Sequence, residues 1–77
     1  MINLRNSKIL KAVGKQIRIQ RKKKGVSQQE FADMCDMELS QINRIELGKI
    51  NTTVSTLFRM AEVLEIKASK LLDVDEL

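Results

Sequence analysis

Apolar residues return along this chain at the spacing of helices. Leu10, Val13 and Ile17 fall on one face, and Leu39, Ile42 and Ile45, then Leu57, Ala61 and Leu64, repeat the pattern. The first set predicts a helix from Ser7 to near Lys24, with Gly25 as its stop. Ile9 and Ile19 fall off its face and are expected to cover other surface or sit in an interface. Next, "SQQE" from Ser27 to Glu30 reads as a capping box that opens a short second helix ending near Cys35. After the tight link "DME", a third helix is expected over about 38–47, with Gly48 as its stop. The polar segment "KINTT" follows. Thr53 then caps a fourth helix that should carry Val54, Leu57, Ala61 and Leu64 on one side. A last short helix would hold Ala68, Leu71 and Leu72.

Two short helices joined by a three-to-four-residue turn form a helix-turn-helix arrangement. With 77 residues the chain has room for one small core. The expectation is therefore an all-α, five-helix domain over residues 7–77, preceded by a short lead-in over residues 1–6. Phe31 and Phe58 are its only aromatic residues and proline is absent, which favours helices further. No internal repeat, low-complexity tract or second domain interrupts the sequence.

The third helix raises the functional question. At about 100° per residue, Ile42, Ile45 and Glu46 gather on one side, while Ser40, Asn43 and Arg44 point away. Neither a buried helix nor an ordinary Lys- and Glu-rich solvent face explains those outward residues. Arginine can take guanine O6 and N7 in a bidentate pair, asparagine can do the same for adenine, and serine can donate or accept at either base. Leu39, near the start of the helix, could touch a thymine methyl. These are the parts of a helix that enters a major groove. Glu46 borders the apolar side of this helix and Arg21 borders the apolar face of the first, so a partly buried ion pair between them would fix how the two helices cross.

Charge supports the same direction. The formal net charge is +4. Arg5, Lys8, Lys11, Lys15, Arg18, Arg21, Lys22, Lys23 and Lys24 precede Val26 with no acid among them, whereas Glu62, Glu65, Asp73, Asp75 and Glu76 gather late. Such polarity fits one surface facing a polyanion and another facing away, although a solvated basic helix would show the same run. Cys35 is the only cysteine and histidine is absent, so neither a disulfide within the chain nor a two-cysteine metal site is possible. No cofactor or metal is expected. Cys35, among Phe31, Ala32, Met34 and Met37, reads as a small buried hydrophobe. No apolar run reaches the length of a membrane span, and no signal-like segment opens the chain, so a cytoplasmic location with no membrane partner is expected.

From Val13 to Leu72 the sequence resembles the lambda-repressor and Cro-like (XRE-type) helix-turn-helix domains of phage and bacterial regulators, a class that includes restriction-modification controller proteins. The resemblance rests on "IRIQRKKKGVSQQEFADMCDMELSQINRIELGK", "TTVSTLFRMAEVLEI" and "ASKLLD". Their shared order is a basic helix, "G-x-S-Q-x-E", "I-x-x-I-E-x-G-K" and a closing amphipathic helix. It implies that Leu39, Ser40 and Arg44 read bases, with Asn43 close by. Gln28 is implied to contact a phosphate and a base-reading neighbour, Gln41, Lys49 and Asn51 are implied to contact phosphates, and Arg21 and Glu46 are implied to form the internal salt bridge. The sequence departs from the family pattern at four positions. Gln20 replaces an apolar residue, Asp36 and Glu65 stand where glycine usually ends a helix, and Lys67 stands where serine usually caps one.

The functional expectation is a sequence-specific, non-enzymatic regulator of transcription that binds double-stranded DNA as a homodimer, with no small-molecule ligand. Ile66, Leu71, Leu72, Val74 and Leu77 offer apolar surface for the dimer contact. The competing reading is a protein-interaction module, such as an antitoxin gripping a partner protein, but that would call for more aromatic and apolar anchors than the third helix presents. An enzyme would need a nucleophile and base that the chain lacks, and base-stacking RNA recognition would need aromatic residues on the polar face.

Overall fold

Every helix but the last ends in a left-handed residue, and in each case the next amide turns back on the helix. The structure, a computed structural model, describes residues 7–74. It places α1 at Ser7–Lys24, α2 at Gln28–Cys35, α3 at Leu39–Glu46, α4 at Val54–Leu64 and α5 at Ala68–Leu71. Gly25 and Gly48 take φ 82° and 72°, and Asp36 and Glu65 take φ 55° and 59°. The amides of Met37, Lys49 and Ile66 then reach the carbonyls of Ala32, Arg44 and Ala61 at 2.9, 2.9 and 3.0 Å. Backbone geometry thus survives without glycine at two of the four ends, where the left-handed conformation costs a non-glycine residue roughly 1–2 kcal/mol. The chain is all-α over its described residues, as expected. The lead-in over residues 1–6 and the tail residues 75–77 lie outside them.

Local chemistry starts the helices. Ser27 Oγ accepts from the Glu30 amide at 3.0 Å while the Glu30 carboxylate accepts from the Ser27 amide at 2.9 Å. The backbone bond first, and the hydroxyl bond after it, hold the Glu30 carboxyl below its usual range. Thr53 caps α4 by accepting from the Thr56 amide at 3.1 Å. Lys67 precedes α5 without a side-chain cap.

The core joins Ile17 of α1, Phe31, Ala32 and Cys35 of α2, Ile42 and Ile45 of α3, Leu57, Met60, Ala61 and Leu64 of α4, and Leu71 of α5. Burial pushes the Cys35 thiol up to about 11, against the opposing pull of the Arg59 guanidinium. Gln20 is buried at the position where the family pattern has an apolar residue. Four expectations need correction. Val54 shares the α4 stripe by spacing but lies in its opening turn, 68% exposed, and Met60 fills the core instead. Leu71, expected on a dimer face, is wholly buried because α5 uses it to close the monomer core. Leu72, placed within the last helix, caps it and is 55% exposed. The third helix stops at Glu46, one residue short of the expected Leu47, which forms its cap.

One glycine sets how α1 meets α3. A Cβ on Gly14 would stand 2.3 Å from the Ile45 carbonyl oxygen and 2.6 Å from that of Glu46. The backbone of α1 therefore lies directly on the last turn of α3, an approach that no side chain permits.

Candidate nucleic-acid interface

On α3 the alternation of apolar and polar residues resolves into two faces. Ile42, Ile45 and Glu46 are buried, and Leu39, Ser40, Gln41, Asn43 and Arg44 are exposed. Their exposure follows from the pairing beneath them. Arg21 Nε donates to Glu46 Oε2 at 2.6 Å and Nη2 donates to Glu46 Oε1 at 3.1 Å, while Nη1 reaches the Val26 carbonyl at 2.8 Å. Only 9% of the Arg21 side chain and 2% of the Glu46 side chain remain accessible. A bidentate guanidinium–carboxylate pair inside the protein, with the remaining guanidinium nitrogen also bonded, locks the end of α1 to the end of α3.

Gln28 extends this network outward. Its Nε2 donates to Glu46 Oε1 at 3.0 Å, and its Oε1 accepts from Asn43 Nδ2 at 3.5 Å. The side chain is thus engaged with Glu46 and Asn43 in this state. Gln41 is also engaged locally, its Oε1 accepting from the Glu38 amide at 3.0 Å at the start of α3. Lys49 and Asn51 are exposed on the segment that leaves α3.

A groove runs between the end of α1, the start of α2 and the outer side of α3, lined by Arg18, Arg21, Ser27, Gln28, Gln29, Leu39, Asn43, Glu46 and Leu47. It gathers Gln28, Leu39 and Asn43 from the expected contact set. Ser40 and Arg44 lie on the exposed side of α3 outside its lining. Gln29 and Leu47 were not singled out from sequence, and Arg18 was read only as one of the basic run along the first helix. Arg18 precedes Arg21 by about one helical turn, so helical spacing from the buried arginine was the available signal. Leu47, 46% exposed, gave no such signal because it lies past the last turn of α3.

The residues expected at a dimer contact do not form one exposed set. Leu71 is in the core, Ile66 is half-buried against it, Val74 is half-buried, and Leu72 is exposed. Further apolar surface comes from α4, where Val54 and Phe58, one turn apart, are 68% and 62% exposed. Among the described residues no cluster of acidic, cysteine or histidine side chains could hold a metal ion, and no helix is long and apolar enough to cross a membrane.

Comparison with known proteins agrees with this geometry. Residues 17–71 match the profile of a helix-turn-helix family. Among solved structures, the chain is similar to the restriction-modification controller protein C.AhdI from Aeromonas hydrophila, with 27% identity, a TM-score of 0.78, and coverage of 80% of this chain and 94% of that one. It is similar to the hypothetical transcription factor NHTF from Neisseria at 29% identity and a TM-score of 0.81, covering 96% of this chain and 86% of that one. The clp gene regulator ClgR from C. glutamicum shares the fold, with a TM-score of 0.81 at 22% identity over 83% of this chain and 82% of that one. No curated protein matches the chain.

Proposed function

The chain belongs to the XRE-type helix-turn-helix family, and on that premise we propose that it is a sequence-specific regulator of transcription that binds a palindromic or near-palindromic operator as a homodimer. The observation that carries this reading is the outward face of α3. Leu39, Ser40, Asn43 and Arg44 are exposed while Glu46 behind them is held in the buried pair with Arg21. In this reading α3 lies in the major groove and those residues meet base edges. Arg44 suits a guanine, Leu39 a thymine methyl. Gln41, Lys49 and Asn51 meet the sugar-phosphate backbone, as does Arg18 from the groove beside α3.

Occupancy is the mechanism. A dimer seated on its operator blocks polymerase or touches it, without chemistry on the DNA. The similarity to a restriction-modification controller protein and to a hypothetical transcription factor supports this class of role. So does the absence of aromatic anchors on the outward face of α3, which weighs against a surface built to grip another protein. The regulator would work in the cytoplasm.

The test is selection of bound sequences from a random pool of DNA duplexes. A symmetric consensus, with two half-sites about one helical turn apart, is the expected result. Recovery of an unselected pool would reject the proposal.

A further inference from the structure

The outer face of α1 carries charge that the fold leaves unmatched. Lys8, Lys11, Lys15, Arg18 and Lys22 follow one another at spacings of three, four, three and four residues, so they form one nearly straight row, and all five are exposed. From Lys8 to Lys22 the row runs roughly 21 Å at 1.5 Å per residue. Each cation has a like charge one turn away, an arrangement that destabilises a helix. No acid on α1 relieves it. The acids that do reach α1 are taken by cations off the row, Glu46 by Arg21 and Glu65 by Lys24 at 3.1 Å. Among the described residues none of the five forms a salt bridge.

Two of the five fix where the row leads. Arg18 lines the groove that holds Leu39 and Asn43. Lys11 lies against the segment leaving α3, where a Cβ on Gly48 would stand 2.6 Å from the Lys11 Cα. Around the helix, Lys8, Lys15 and Lys22 lie farther from Gly14, the residue seated on α3, than Lys11 and Arg18 do. The row therefore borders α3 along one edge and turns away from it along the other.

We propose that this row is a second contact with duplex DNA, independent of sequence, which holds the phosphates of the stretch flanking the half-site that α3 reads. The inference rests on the proposed DNA-binding function and adds a length of partner that α3 does not touch. The row matches about six base pairs at 3.4 Å per step. Fixed cations along it replace the condensed counter-ions of a duplex, whose release drives binding, and the same phosphates remove the repulsion within the row. Other polyanions fit less well. Single strands are held on aromatic side chains, of which α1 has none, and a membrane surface takes a broad apolar face beside the cations, where α1 exposes Ile19, at 38%.

Fluorescence anisotropy with the full chain tests this contact, on the selected operator either trimmed to its consensus or extended by about ten base pairs at each end, more than the row's span. Lys8→Gln with Lys15→Gln removes two cations from the edge of the row farther from α3. Lys67→Gln with Lys70→Gln removes two exposed lysines at α5 and leaves the same net charge. The parent should bind the extended duplex about tenfold more tightly than the trimmed one. The row variant should lose most of that gain and lower the salt slope on the extended duplex by about two, while binding the trimmed duplex with the parent's affinity and base preferences. The α5 variant should behave as the parent. A row variant with the parent's gain and slope would overturn the proposal. So would equal weakening by the two variants, which net charge alone predicts, or equal weakening on both duplexes, which would place the row on the half-site itself. A parent that selects no sequence would overturn DNA reading and the flank contact together, whereas one that selects its operator without any gain from the flanks would overturn the flank contact alone.

Discussion

At the scale of single residues, the buried pair and the exposed arginine behind the same helix make opposite demands. Removing Glu46 leaves the Arg21 guanidinium buried beside a carbonyl and without its counter-ion. Glu46→Ala should therefore lower unfolding free energy by about 3 kcal/mol, whereas replacing both partners with apolar residues, Arg21→Met with Glu46→Leu, should cost less because no charge is then stranded. Urea unfolding of the three variants decides it; single variants that unfold like the parent would show that the pair does not hold the helices. Arg44 is exposed and its loss should barely alter unfolding. Arg44→Ala should instead weaken binding to the selected operator by about 1–3 kcal/mol and relax the choice at one base pair. A variant that keeps the full preference would place base reading elsewhere.

Elements show which features a sequence displays and which it hides. Boundaries were legible wherever the signal is local: the Ser27–Glu30 box, the Thr53 cap and the glycines at 25 and 48 all act within a few residues of themselves. Asp36 and Glu65 show the same stops written without glycine. The outward set on α3 was legible too, because helical spacing alone separates Ile42 and Ile45 from Asn43 and Arg44. Depth in the core was not. Val54 and Leu71 both fit an apolar stripe, but whether a stripe ends in the core or outside it depends on the neighbouring helix, which periodicity does not contain. Gln28 was visible as a polar residue, yet its bonds to Glu46 and Asn43 arise only once α2 and α3 pack. Gly14 was hidden most completely, since a missing side chain leaves no mark in a hydrophobic pattern. It also carries a sharp prediction about the α1–α3 crossing. Gly14→Ala would press a methyl onto the carbonyls of Ile45 and Glu46, so the helices must part; the cost should be at least the 1–3 kcal/mol or so typical of overpacking, with DNA affinity falling as α3 shifts. Gly25→Ala meets no neighbour and bears only its left-handed backbone, about 1–2 kcal/mol. Comparing melting midpoints and operator binding separates the two, and a Gly14→Ala protein with parental midpoint and affinity would refute the crossing argument.

For the whole molecule, charge and symmetry set the terms of binding. Phosphate contacts release counter-ions, so if Lys49 makes one, Lys49→Ala should weaken every sequence to a similar degree and lower the slope of log affinity against log salt by about one. A loss confined to the selected operator would assign Lys49 to bases instead. Symmetry is the larger question. One α3 reads a few base pairs, and one small module buries too little surface to find a single operator in a genome, so the proposed function requires two copies. Leu71 is spent on the monomer core, which leaves, among the described residues, Leu72 with the edges of Ile66 and Val74 as exposed apolar material near the C-terminal end, and Val54 and Phe58 on α4 as more of the same kind; Leu77 of the expected set lies outside the described residues. A two-fold contact through that end would keep the α1–α2–α3 groove clear and could set two copies of α3 roughly 34 Å apart, one turn of B-DNA. Sedimentation at micromolar concentration should give a dimer for the parent and a monomer for Leu72→Glu, the variant keeping its melting transition because Leu72 lies outside the core. The monomeric variant should also lose the advantage of a palindrome over an isolated half-site, since linkage between half-sites disappears with the contact. A parent that sediments as a monomer and binds a half-site as well as the palindrome would end the dimer model, leaving α3 to find its operator alone.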